Sequence, residues 1–129
     1  MKEQLKQLLE NSYSPYSKFR VAAILVMKDG QTFHGVNVEN ASYGAAICAE
    51  RSAFVSAISS GYKPHDFETL YVMCDSPKIS TCCFLCRQVI AEMMEPDKKI
   101  ICMNNLGEKK EFTVKELCPY PFDEKDLNI

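Results

Sequence analysis

Thr69-Leu70-Tyr71-Val72-Met73-Cys74 and Lys99-Ile100-Ile101-Cys102-Met103 are two near-continuous apolar runs, separated by a segment of helical length from about Cys83 to Met94. Each run reads as a buried strand, and a strand–helix–strand order predicts a parallel pair with the helix laid across it. Pro96-Asp97 ends the helical segment, and Asn104-Asn105-Leu106-Gly107 supplies a turn after the second strand. Working upstream, Arg20 to Met27 is β-branched and aliphatic, Lys28-Asp29-Gly30-Gln31 carries a turn signal, and Thr32 to Val38 follows, which predicts a hairpin. After a loop from Asn40 to Ala45, the apolar positions Ala49, Ala53, Phe54, Ala57 and Ile58 keep a helical period until Gly61 stops it. Leu5, Leu8 and Leu9 predict an opening amphipathic helix from about Lys2 to Asn11, broken by Ser14-Pro15-Tyr16-Ser17. Glu111 to Val114 adds a fifth strand. The order α-β-β-α-β-α-β-β-α specifies an α/β fold, a mixed sheet with helices packed on its faces. No repeat or linker interrupts it, so residues 1–129 are expected to form a single domain.

The length of 129 residues is enough to bury roughly two-thirds of the surface an unfolded chain exposes. A net charge of −2 offers no clustered basic face, so nucleic acid is not an expected partner. The polar start Met1-Lys2-Glu3-Gln4 carries no export signal, and the run Val21 to Met27 is too short to span a bilayer. A cytoplasmic protein without a membrane partner is expected. Seven cysteines, an odd count, then argue for reduced thiols rather than a disulfide framework, with some of them holding metal.

Cys83-Phe84-Leu85-Cys86 is a C-x-x-C at the start of one expected helix, and Cys48 stands at the start of another. Helix N-termini stabilise thiolates, and three sulfurs around zinc leave a tetrahedral position open for water, which is the catalytic arrangement. The same C-x-x-C spacing also serves redox dithiols and structural zinc ribbons. Glu50 shifts the balance. Side chains two apart on a helix diverge, so Cys48 and Glu50 converge only if Cys48 sits at the non-helical cap. A carboxylate there can take the proton of a zinc-bound water and return it elsewhere. Cys82 keeps an alternative open, because Cys82 and Cys86 have C-x-x-x-C spacing.

Cys48-Ala49-Glu50-Arg51 with Cys83-x-x-Cys86-Arg87-Gln88-Val89 resembles the signature of the cytidine deaminases, in their short-chain form with three zinc thiolates. Ser14 to Val21 resembles the family's N-terminal loop, Asn37-Val38-Glu39-Asn40-Ala41-Ser42-Tyr43-Gly44 its ribose loop, and Val114-Lys115-Glu116-Leu117 through Phe122 its C-terminal end. Five motifs in sequence order cover nearly the whole chain. The resemblance implies a three-layer α-β-α fold on a mixed five-stranded sheet, and one Zn²⁺ per chain on Cys48, Cys83 and Cys86. It implies hydrolytic deamination of cytidine and 2′-deoxycytidine to the uridines and ammonia, in pyrimidine salvage, with Glu50 carrying protons. Asn37 and Glu39, two apart on an extended segment, face one side, and the family's matching pair binds the ribose. Phe19 would lie against the pyrimidine, the backbone at Ala49 would meet its polar edge, and Arg51 would donate to the ligand sulfurs. A homotetramer is implied, with Tyr43 and Phe122 completing a neighbouring subunit's pocket. Two alternatives stay open: a deaminase of a modified cytosine nucleoside or nucleoside antibiotic of the blasticidin S type, and a non-catalytic zinc or thiol-redox module with a closed four-ligand site or a titratable dithiol.

Departures are local. Where the family's usual turn is Pro-Cys-Gly, this chain has Cys82-Cys83-Phe84, which removes a rigid proline and is expected to crowd a bulky ring into a loop-to-helix junction. Ala22 stands where Gly is usual, and Pro119-Tyr120-Pro121-Phe122 replaces the commoner Pro-Gly-Ala-Phe. Cys74 and Cys102 read as buried small hydrophobes, Arg87 and Gln88 as structural, and His34 and His65 as isolated; Cys118 has no assigned role. On the residues alone, Phe19 and Phe122 also read as core, and Asn37 and Glu39 as a solvated edge.

Overall fold

A computed structural model describes residues 1–127, so the last two positions of the expected 1–129 domain lie outside the described residues. The elements in chain order are α1 (Lys2–Leu9), β1 (Val21–Met27), β2 (Thr32–Val36), α2 (Ala49–Ser59), β3 (Phe67–Cys74), α3 (Phe84–Met93), β4 (Lys99–Met103), β5 (Lys109–Thr113) and α4 (Val114–Leu117), with short 3-10 turns at Tyr43–Ala45 and Glu124–Leu127. The strands form one sheet in the order β2-β1-β3-β4-β5. β3 and β4 pair in parallel and the other neighbours are antiparallel, so the sheet is mixed, as the strand–helix–strand pattern predicts.

Two apolar clusters sandwich this sheet. On one face α2, α3 and α4 bury Ala53, Phe54, Ile90 and Leu117 against Leu25, Leu70 and Ile100. On the other, α1 buries Leu5 and Leu9 against Ala22, Ile24, Met73 and Ile101. The alternation of faces along β1, with Ala22 and Ile24 on one side and Ala23 and Leu25 on the other, makes three layers, α-β-α.

The topology decides where chemistry can sit. β2 and β3 both pair antiparallel to β1, so they run parallel to each other and end at the same edge of the sheet. α2 follows β2 and α3 follows β3, both on the same face, which brings the two helix N-termini together outside the strand ends. Gly35 sets the depth of α2. A Cβ at Gly35 would lie 2.6 Å from both the Ala49 carbonyl oxygen and the Ala53 nitrogen, so only hydrogen lets strand and helix backbones approach this closely.

Element limits differ from the sequence expectation at loop junctions. β2 ends at Val36 rather than Val38, because Val38 leaves β1 and bridges instead to Tyr13 and Ile47. The opening helix stops at Leu9, and β5 begins at Lys109, where Lys109 pairs with Met103.

Candidate active site

Cys48 is the N-cap of α2 and Cys83 the N-cap of α3, each in extended backbone (ψ 155° and 165°), and neither side chain caps its own helix. That leaves both sulfurs free to point across the gap. Cys86, in the first turn of α3, supplies a third. The sulfurs of Cys48 and Cys83 are 3.7 Å apart, and all three lie within 4.8 Å of one another. A tetrahedral zinc with Zn–S bonds of about 2.3 Å needs neighbouring sulfurs about 3.8 Å apart, so the residues present fit that ion. Cys82 is not in this group. It is buried, with 3 % exposure, and its thiol pairs with Cys102 and Glu50. Consecutive residues of extended chain point to opposite sides, which sends Cys82 into the core and Cys83 to the metal position. The C-x-x-C register therefore holds, and the closed four-sulfur site required by a structural zinc module is not formed among the described residues.

The electrostatics favour negative charge on the Cys48 sulfur. The Cys48 thiol is pushed down to about 5 by its hydrogen bond with Cys86 first, with Arg51 and Cys83 acting in the same direction and burial against it. Cys86 moves up, as the partner that donates to Cys48 and as a buried group. The Arg51 guanidinium donates from Nη2 to Cys48 Sγ at 3.5 Å, as expected, and the hydrogen bond with Cys48 raises its own pKa. Glu50 is 5 % exposed, and burial pushes its carboxyl above the usual range, a shift that a hydrogen bond with Cys82 opposes.

Glu50 faces a cavity of about 240 Å³ that Cys48, Ala49, Cys83, Phe19, Asn37 and Glu39 also line. The structure thus gathers most of the expected site residues in one place. Phe19 is partly exposed at its rim and is not core. Asn37 and Glu39 are not a solvated edge. Asn37 Oδ1 accepts from Val21 N at 2.9 Å and its Nδ2 donates to Phe19 O at 2.8 Å. Glu39 Oε1 accepts from Tyr16 N and Ser17 N, and Oε2 from the Ser17 hydroxyl, which holds its carboxyl below the usual range. Both residues thereby latch the segment that carries Phe19.

Tyr43 and Phe122 stand apart. Tyr43, 77 % exposed, lines an adjoining hollow with Tyr16, Glu39 and Asn40, its ring edge-on to Tyr16 at 6.0 Å. Phe122 is 57 % exposed and does not line the cavity; its carbonyl accepts from Gln88 Nε2 at 2.6 Å.

The altered turn behaves differently from the sequence expectation. The Phe84 ring is not crowded: as the first residue of α3 it points outward at 78 % exposure and stacks on the Arg87 guanidinium, 4.5 Å from the ring centroid. Arg87 also donates to Cys82 O at 2.7 Å, Thr81 Oγ1 at 2.7 Å and Leu117 O at 3.0 Å, pinning the turn in the absence of proline. Sequence reasoning missed Ser17, Ser80 and Thr81 in the cavity wall, and Cys74, which is buried as expected but also reaches the cavity. For Cys74, Ser80 and Thr81 the position between the end of β3 and the start of α3 was the available signal, whereas Ser17, in the loop before β1, had none.

The profile described as "Cytidine and deoxycytidylate deaminase zinc-binding region" matches residues 1–104. A cytidine deaminase of Halalkalibacterium halodurans is 43% identical over 122 residues, spanning 95% of this chain and 91% of that protein. One from Sporosarcina psychrophila is 41% identical over 95% of this chain and 89% of that protein. The crystal structure of the cytidine deaminase of Burkholderia pseudomallei superposes with a TM-score of 0.89 at 41% identity, covering 93% of this chain and 94% of that one.

Proposed function

The chain belongs to the zinc-dependent cytidine deaminase family, and from that premise we propose how its own residues divide the work on the nucleoside. The reaction is the hydrolytic deamination of cytidine, in which water adds at ring C4 and ammonia leaves. Cys48, Cys83 and Cys86 would hold the zinc cofactor, which would supply the Lewis acidity that lowers the pKa of water to about 7. Glu50 takes a proton from the attacking water and delivers it to ring N3. It then takes the second proton and delivers it to the departing amino group, so that C4–NH₂ and water become C4=O and ammonia. Its burial favours the protonated carboxyl midway through this transfer. Arg51 offsets the charge of three thiolates through its contact with Cys48. Phe19 packs on the pyrimidine, the backbone at Ala49 meets its polar edge, and Asn37 and Glu39 hold the sugar hydroxyls, the amide donating and the carboxylate accepting. Cytidine and 2′-deoxycytidine both fit this reading, which places the enzyme in pyrimidine salvage in the cytoplasm. Seven free thiols suit that reducing compartment, and no helix among the described residues is long and apolar enough to cross a membrane.

The reading extends to a homotetramer in which Tyr43 and Phe122 complete a neighbour's pocket. Exposed Tyr43, Phe84, Leu85 and Phe122 are large apolar side chains available for such contacts. The observation that carries the functional proposal is the trio of sulfurs at zinc spacing beside a buried glutamate that faces the cavity. The test is loss of cytidine ring absorbance with and without a zinc chelator. Turnover that stops with chelator and returns with zinc is expected; turnover indifferent to the chelator would overturn it.

A further inference from the structure

We propose that Ser12, outside the cavity wall and beyond the end of α1, is a positioning residue for the sugar end of the site, acting through Asn37. The inference rests on the reading of Asn37 as a sugar ligand. The Ser12 hydroxyl lies against Asn37 Oδ1 and, at 3.1 Å, against the Ser14 hydroxyl. An amide oxygen only accepts, so Ser12 spends its single proton on Asn37 and receives the one from Ser14. Asn37 Oδ1 thus accepts twice, from Ser12 Oγ and from Val21 N, while Nδ2 donates to the Phe19 carbonyl.

This pattern fixes which end of the amide meets the cavity. Rotating the amide by half a turn would set Oδ1 against the Phe19 carbonyl oxygen and Nδ2 against the Val21 N–H. The amide plane is therefore locked, and the second N–H of Nδ2, with no partner among the described residues, is the donor offered to a sugar hydroxyl. An amide whose oxygen accepts two hydrogen bonds is polarised, which makes its N–H groups better donors. The Ser14–Ser12–Asn37 relay supplies that polarisation from outside the cavity.

The hydroxyl can be removed without unseating the segment. Tyr13 N donates to Asn37 O at 3.0 Å and Glu39 N to Tyr13 O at 2.8 Å, so backbone bonds alone hold residues 12–14 beside 37–39. Loss of the Ser12 hydroxyl should loosen the amide while the chain around it stays in place.

The test is steady-state kinetics of the zinc-loaded enzyme on cytidine and on 2′,3′-dideoxycytidine, which lacks both ring hydroxyls, for Ser12→Ala, Ser12→Thr, Asn37→Ala and the Ser12→Ala/Asn37→Ala double variant. Ser12→Ala is expected to raise KM for cytidine roughly 3- to 10-fold, the worth of one hydrogen bond, with kcat within about twofold. It should leave kcat/KM for the dideoxynucleoside at the wild-type value, Ser12→Thr should restore the cytidine KM, and Ser12→Ala should add nothing once Asn37 is alanine. If Asn37→Ala discriminates between the two substrates but Ser12→Ala weakens both equally, or neither, the proposal is overturned and the sugar reading stands. If Asn37→Ala itself weakens both substrates equally, the sugar reading falls and the proposal with it.

Discussion

The metal end and the sugar end of this site are built in different ways. At the metal end every candidate side chain sits at an N-cap or in the first turn of a helix: Cys48, Glu50 and Arg51 on α2, Cys83 and Cys86 on α3. Their spacing is fixed locally, and the helices are held by a shared core and by the close approach at Gly35. At the sugar end nothing is helical. Segments 12–19 and 37–39 meet as loops, joined by an isolated bridge and by the side-chain hydrogen bonds of Asn37 and Glu39. On the proposed reading, proton transfer and metal binding rest on rigid elements, and substrate recognition on a latched loop whose sugar ligands are also its fasteners.

Variants can break this contrast. The largest effect is expected at the metal end, where Cys83→Ala should abolish both zinc binding and turnover, while Cys82→Ala keeps one zinc per chain by native mass spectrometry. Zinc lost from Cys82→Ala and kept in Cys83→Ala would move the site and undo the cap geometry. A smaller effect is expected where the Phe19 segment joins β1. There Arg20 donates from Nε and Nη2 to Asp75 Oδ2 at 2.8 and 2.7 Å, and this pairing holds the Asp75 carboxyl below its usual range. A carboxylate with a depressed folded pKa contributes stability above its unfolded value of 3.8 and loses it as pH falls through the folded pKa. Asp75→Asn should therefore cost about 0.5–1 kcal/mol at pH 7, little for a pair that is about one-third exposed, with the gap closing below about pH 4. Thermal unfolding of both proteins across that range measures it, and a gap that persists at low pH would assign the stabilisation elsewhere.

The same contrast explains what could be read from the chain. The order of elements along the chain and the zinc trio were legible because helical period, apolar runs and cap spacing are local patterns. Cys82 against Cys83 was ambiguous in sequence because adjacent residues differ only in which side of an extended cap they face; in the fold Cys82 is buried in the cluster that holds Cys102, and Cys83 lies with Cys48 and Cys86. The crowding expected at Phe84 failed because the first position of α3 points to solvent and Arg87 lies there to receive the ring. The double duty of Asn37 and Glu39 left no pattern at all. Ser12 and Ser17, which engage them, are ordinary polar residues until the fold brings them within reach.

The central claim is that Glu50 carries protons beside a zinc that it does not bind. The direct measurement is zinc content and cytidine turnover of Glu50→Gln in one preparation. One zinc per chain with kcat lowered by about 10²–10⁴ is predicted, the range for loss of a general acid–base group. Turnover at the wild-type rate, or loss of the metal along with the carboxylate, would contradict it.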